Sequence, residues 1–329
     1  MIVLLFMLIQ PFSLQGYIGC STGYAGDSFH NSGYGYLSFD KEGNIISFYS
    51  EFRTSYTLPE ESLMYSFDRA VVYVTPYPLS LSLGWERVNW GFGMFYSPAD
   101  LFNPAYSVLD YERIRKGVFT AGISYEWSPA IIQEIVFALP EDTVRVTWEN
   151  LRLGSRVNVF LNSYECFLSG VYCDDEFPIS CGLRKDVYDF IVYSEATVEP
   201  GEDSLNPRFL LGVNRMLGTQ GIINIEYYYQ NEGFSEWNDS IPFLSSIPGY
   251  TGKHYIYCLT QAGEGEGFSC GIYSVFHPLW RGGLTGLIIS YNGLQDITII
   301  GTGIKIIKRG EFSLLPFEYL FGIEMRYFF

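Results

Sequence analysis

Apolar and polar residues alternate along most of this chain. In 45–58 (IISFYSEFRTSYTL) the even positions hold Ile46, Phe48, Phe52, Tyr56 and Leu58, while the odd positions carry Glu51 and Arg53. A period of two sends successive side chains to opposite faces and predicts a strand with one apolar face. The pattern recurs. In 79–85 (LSLSLGW) the leucines and Trp85 oppose Ser80, Ser82 and Gly84. In 118–127 (VFTAGISYEW) Phe119, Ala121, Ile123, Tyr125 and Trp127 oppose Thr120, Gly122, Ser124 and Glu126. In 144–148 Val144, Val146 and Trp148 oppose Arg145 and Thr147. In 187–198, read as one strand, Asp189 and Glu195 oppose Tyr188, Phe190, Val192 and Val198. No stretch of useful length shows a helical period.

Turn-forming residues separate these runs at short intervals: DKEGN (40–44), PYP (76–78), SP (128–129), PED (140–142), LGTQG (217–221), EGEG (264–267) and NG (292–293). Evenly spaced strands with short turns predict an all-β antiparallel meander. Longer polar connections near 88–115, 167–176 and 231–252 alternate with the short turns, as in membrane barrels with long loops at one end. Counting back from Phe329 by parity also puts 308–316, 277–283, 199–206 and 140–142 at the long-loop end. This requires 177–184 to be a descending strand. The count comes to about 16–18 strands, and to 18 if 17–25 is the first. The expected fold is an antiparallel transmembrane β-barrel.

Period alone does not say which face looks outward. Aromatics gather toward strand ends (Tyr56, Trp85, Trp127, Trp148, Tyr229, Tyr327), and the polar face mixes Ser, Gly, Glu and Arg, which suits a wet lumen. The last nine residues, FGIEMRYFF, set Phe321, Ile323, Met325, Tyr327 and Phe329 in one apolar row, with Glu324 and Arg326 on the other face. This ending resembles the C-terminal assembly signal of bacterial outer-membrane barrels. The resemblance implies that the barrel-assembly machinery recognises the last strand, which then closes against the first.

The segment 87–104 resembles one in porin-like outer-membrane proteins, where an Arg-bearing strand runs into Trp-Gly, Pro-x-Asp and Asn-Pro. Arg87, Trp90, Gly91, Pro98, Asp100, Asn103 and Pro104 hold those places. The stretch 212–233 is similar to a hairpin of the same family. Pro and Asn in the segment are turn builders. A loop of this length either folds into the barrel and narrows it or caps the rim, and the residues favour neither.

Composition narrows the function. Aromatics reach 18% and the net charge is −16, a balance that disfavours nucleic acid. Residues 1–9 (MIVLLFMLI) are about half the length of a membrane span. They match the apolar core of a secretory leader, although no Lys or Arg precedes them. The expected division is a leader over 1–16 and a barrel over 17–329, with a buried first strand as the alternative. Tyr17 stands where a lipobox needs a Leu-like residue, which argues against lipidation of Cys20. The six cysteines (20, 166, 173, 181, 258, 270) suit an oxidising compartment. A hairpin centred on Gly263-Glu264-Gly265 would place Cys258 opposite Cys270; two separate packed thiols is the plainer reading.

The three histidines, His30, His254 and His277, fall in no catalytic motif, so no enzyme, cofactor or metal is expected. The function expected from sequence is an outer-membrane channel of a Gram-negative-type bacterium, passing small hydrophilic solutes or ions by diffusion. Candidate pore-lining charges are Glu51, Arg53, Glu86, Arg87, Glu126, Arg145, Glu149, Glu195, Glu226, Glu324 and Arg326, with a mild cation preference from the acidic excess. The alternatives are a plugged structural or adhesive barrel and a hydrolase at the rim. Expected partners are outer-membrane lipid, the barrel-assembly machinery and small solutes or ions, with self-association left open.

Overall fold

Eighteen strands follow one another around a closed sheet in the computed structural model. It describes residues 13–25, 28–41, 45–58, 62–103, 109, 117–139, 151–173, 176–201, 204–218, 221–237, 250–263 and 267–329. The first nine strands are β1 Ser13–Ala25, β2 Ser28–Lys41, β3 Ile46–Leu58, β4 Ser62–Val74, β5 Leu79–Glu86, β6 Val118–Ser128, β7 Ile131–Leu139, β8 Arg152–Leu161 and β9 Tyr164–Tyr172. The others are β10 Ile179–Val187, β11 Phe190–Pro200, β12 Leu205–Met216, β13 Gly221–Gln230, β14 His254–Ala262, β15 Phe268–His277, β16 Gly282–Leu294, β17 Ile297–Ile307 and β18 Tyr319–Phe328. Each pairs antiparallel with its neighbours in sequence. β18 closes on β1 with Tyr17 opposite Phe328 and Tyr24 opposite Phe321. Closure matters because hydrocarbon offers no partner to an unpaired strand edge.

The parity count fits this barrel. All the connections assigned to the long-loop end lie together, and β10 is the descending strand that the count demanded. The outer face is apolar. Leu81, Leu83 and Trp85 of β5, Ile123, Tyr125 and Trp127 of β6, and Phe321, Ile323, Met325 and Tyr327 of β18 are all exposed, Ile323 at 61%. Exposed apolar surface on that scale marks contact with lipid or partner rather than water. Aromatic pairs flank the band. Tyr125 and Trp127 (4.8 Å) and Phe268 and Tyr291 (4.7 Å) sit toward the short-turn end, and Phe209 and Tyr229 (5.1 Å) toward the other. On the inner face Arg326 donates to Glu324, and its guanidinium lies 4.9 Å from the Tyr17 ring.

β1 begins at Ser13, and Gly16 exchanges backbone hydrogen bonds with Phe329 at 3.3 and 3.1 Å. Two sequence expectations change. Residues 187–198 are not one strand: the chain turns at Tyr188–Asp189. Asp189 therefore leaves the inner row, and Tyr188 is fully exposed at the turn. The Cys258–Cys270 alignment fails because the turn is centred further along. Cys270 faces Ala262 and Cys258 faces Ser274, and all six cysteines are free thiols. The expected 144–148 strand lies outside the described residues.

Candidate functional site: an inward-folded loop and the passage beside it

The connection after β5 does not cap the rim. Between Arg87 and Asn103 it folds into the barrel and buries Val88, Trp90, Phe95, Tyr96, Ala99 and Phe102. Its own residues close it into a compact unit. The Asn103 side-chain amide donates to the Val88 carbonyl (2.7 Å) and to Asp100 Oδ1 (2.8 Å), and its oxygen accepts the Val88 N–H (3.2 Å). Ser97 to Asp100 form a tight turn with Pro98 at its second position, the Asp100 N–H donating to the Ser97 carbonyl at 3.2 Å.

A loop folded into a barrel must find partners for its peptide groups. Two wall carboxylates supply them. Glu226 of β13 accepts the N–H groups of Met94 (2.5 Å), Phe95 (3.0 Å) and Tyr96 (3.0 Å), and the Tyr193 hydroxyl (2.7 Å). Glu195 of β11 accepts the N–H groups of Phe92 and Gly93, the latter at 2.7 Å, and the Ser97 hydroxyl at 2.8 Å. Arg152 of β8 serves the carbonyls, donating to Leu101 O (2.7 Å) and Phe102 O (3.2 Å). The loop is thus held by anions at its amides and by a cation at its carbonyls. Charge-assisted hydrogen bonds of this kind are about twice as strong as neutral ones.

Close approach explains the glycines. A Cβ on Gly91 would lie 1.7 Å from Ser97 Oγ, and one on Gly93 would lie 1.6 Å from the Tyr96 carbonyl oxygen. Packing completes the seat. Tyr96 stacks on Tyr228 (4.6 Å) and Phe95 on Tyr257 (4.3 Å), while Trp90 meets Phe102 edge-on (4.8 Å). Gly154 on β8 leaves room for that last pair, since a Cβ there would be 2.6 Å from both rings.

The rest of the long-loop end on this side is also filled. Glu311, in the short 3-10 helix Gly310–Leu314, accepts from the Tyr255 hydroxyl and from Thr251 N–H (3.2 Å). Tyr250 packs edge-on against Tyr96 at 5.4 Å. The β11–β17 half of the interior is therefore an aromatic core of Tyr193, Tyr228, Tyr255, Tyr257 and Tyr273 with Phe312.

The opposite half stays polar and open. A cavity of about 390 Å3 runs along β4–β7, lined by Tyr73, Ser80, Ser82, Glu86, Arg87, Ser124 and Glu134. Arg87 pairs with Glu51 of β3 at 3.0 Å. Arg69 donates to the Tyr73 hydroxyl (2.9 Å), which donates to Glu86.

The sequence candidates therefore divide. Glu51, Glu86 and Arg87 gather at this passage. Glu126 lies on β6 near the short-turn end, and Glu324 and Arg326 pair on β18. Glu195 and Glu226 lie on the inner face but are 2% and 0% exposed, because the loop covers them. Trp90, Gly91, Pro98, Asp100 and Asn103 belong to the inserted loop. The Arg53 side chain, Pro104, Arg145 and Glu149 lie outside the described residues. Arg69, Arg152, Glu311 and the inward tyrosines were missed. Parity alone could have found Tyr255 and Tyr257, since Tyr257 stands opposite Glu226 in the ladder.

His254 Nδ1 is 2.7 Å from the Tyr227 hydroxyl on the outer face, and inside the barrel His277 Nδ1 accepts the Trp280 N–H at 3.1 Å. Neither histidine is hydrogen-bonded to a serine or a carboxylate among the described residues. No group of three or more His, Cys, Asp or Glu converges there either.

No family model matches the sequence, and no curated protein aligns with it. Solved structures do share the fold. Pseudomonas aeruginosa OccK5 (OpdH) superposes with a TM-score of 0.62 at 9% identity, over 96% of this chain and 98% of that one. Pseudomonas aeruginosa OccK11 (OpdR) gives 0.59 at 8% identity, over 96% and 95%. A mutant of the Rhodopseudomonas blastica porin gives 0.53 at 13% identity, over 97% and 100%.

Proposed function

We propose that this chain is a porin-like channel of the outer membrane of a Gram-negative-type bacterium, passing small hydrophilic solutes by diffusion. The observation that carries the reading is the inversion of polarity. An apolar, aromatic-flanked outer face surrounds a closed barrel whose interior keeps a cavity with polar walls beside an inserted loop. Barrels of 16–18 strands are wide enough for water, and in this one the inserted loop leaves a cavity along β4–β7. No enzymatic activity is assigned. Phe321, Ile323, Met325, Tyr327 and Phe329 act as the assembly signal read by the barrel-assembly machinery. Their outward row also meets lipid, and the seam with β1 completes the wall. The apolar run 1–9 is read as the core of a secretory leader over 1–16, a boundary that N-terminal sequencing of the mature protein tests.

The second reading, a plugged barrel, is favoured by the strength of the clamp on residues 92–97. One experiment separates the two. Purified protein in a planar bilayer gives stepwise conductance if the passage is open, and a silent bilayer containing folded protein rejects the channel.

A further inference from the structure

The charges along the passage are matched in sign. Arg87 and Glu51 are each about a quarter exposed and touch at 3.0 Å. Arg69 reaches Glu86 through the Tyr73 hydroxyl and lies 4.9 Å from the Tyr49 ring. Across the cavity, Glu134 and Arg156 face each other on β7 and β8, and Asn158 donates to Glu134 at 3.1 Å. Glu51 thus has an ion-pair partner, Glu86 is linked to Arg69 through a hydroxyl, and Glu134 stands opposite Arg156 in the ladder, so opposite charges lie close together and their fields partly cancel.

Beside these charges a solute meets the hydroxyls of Ser80 and Ser82 on β5 and Ser124 on β6, with Asn89 and Trp90 of the inserted loop on the facing side. The chain's net charge of −16 has its source elsewhere. In sequence, acidic residues recur between the strands: Glu141, Asp142 and Glu149 between β7 and β8, Asp174 to Glu176 between β9 and β10, and Glu202 and Asp203 between β11 and β12. Their reach into solution is about 10 Å at 0.1 M salt and about 3 Å at 1 M.

We propose that this passage takes small uncharged polyols and that its paired charges make it indifferent to the sign of an ion. Any cation preference of the open channel then arises at the acidic connections and disappears at high salt. A polyol replaces the hydrogen bonds that water makes to the serine row and to the outer lobes of the pairs. A monovalent ion must instead face both members of a pair at once. The cavity has room for roughly a dozen waters, which sets the size class. The inference rests on the channel reading.

The test uses the purified full chain in planar bilayers with a KCl gradient, at ionic strengths near 0.1 M and near 1 M. The expected cation-to-anion permeability ratio is above one at low salt and close to one at high salt. At high salt Arg87→Gln raises it several-fold by freeing Glu51, and Glu51→Gln lowers it by freeing Arg87. A merely structural role would not give opposite shifts. In liposome swelling, mannitol enters faster than gluconate, which has the same carbon count. The inference is overturned by a strong sign preference of the unmodified channel at high salt, by two variants that shift together or not at all, or by gluconate entering as fast as mannitol. Absence of any conductance step removes the channel reading itself, and is distinct from each of these results.

Discussion

Replacing Glu226 by Ala should release the inserted loop without unfolding the barrel. Glu226 is fully buried and takes the N–H groups of three consecutive loop residues, Met94, Phe95 and Tyr96, together with the Tyr193 hydroxyl. A buried donor left without a partner costs about 1–3 kcal/mol, so the three amides alone put about 3–9 kcal/mol on the docked state. Even the lower figure changes the docked-to-undocked ratio roughly 10²-fold, at about 1.4 kcal/mol per factor of ten. The ladder between β12 and β13 uses backbone groups and is untouched. The assay pairs unitary conductance with limited proteolysis. Glu226→Ala should show larger and noisier conductance and new cleavage within 92–97, at unchanged heat-modifiable gel mobility. Glu226→Gln should fall between, because its one carbonyl oxygen serves some of the amides while its NH₂ confronts the rest. Wild-type conductance and protease resistance in Glu226→Ala would refute the idea that this carboxylate seats the loop.

Other outcomes follow from the same geometry. Gly154→Ala puts a methyl 2.6 Å from the Trp90 and Phe102 rings, so the loop should loosen by about 1–3 kcal/mol, seen as a change in near-UV circular dichroism and in conductance. Ile323→Arg on the lipid face should destabilise the barrel by about 2–4 kcal/mol in a urea titration in lipid, whereas Ser82→Arg, in the passage, should leave stability nearly unchanged and reduce conductance. Mild oxidation should not cross-link Cys258 to Cys270, and six thiols should titrate after unfolding without reductant; a Cys258–Cys270 bond found by peptide mapping would contradict the β14–β15 register.

Much of the architecture was determined by the sequence alone. Strict alternation in 79–85 and 118–127, breakers between the runs and the bare aromatic row of 321–329 suffice for the strand architecture, a count of about 16–18 and the assignment of each connection to one end, while the structure fixes the number at eighteen. These signals are local: a side chain's face depends on its neighbours at i±1 and i±2, and a turn on a few residues. Such reasoning erred where a local signal was ambiguous. Tyr188–Asp189 continues the alternation and so hid a turn, and the glycine-rich stretch after Ala262 did not fix the hairpin centre.

What only the tertiary structure decided is what the inside contains. Glu195, Glu226, Glu51 and Glu86 look alike in sequence, as carboxylates on inward faces. The first two are consumed by loop amides about a hundred residues away, and the last two stay at open water. Partners that distant meet only after the sheet closes, and closure depends on all eighteen strands at once. For the same reason the inward tyrosines of β11–β15 read as strand formers and turned out to be the seat on which the loop packs. The physical divide is between short-range stereochemistry, which alternation records, and the competition for a shared interior, which it cannot.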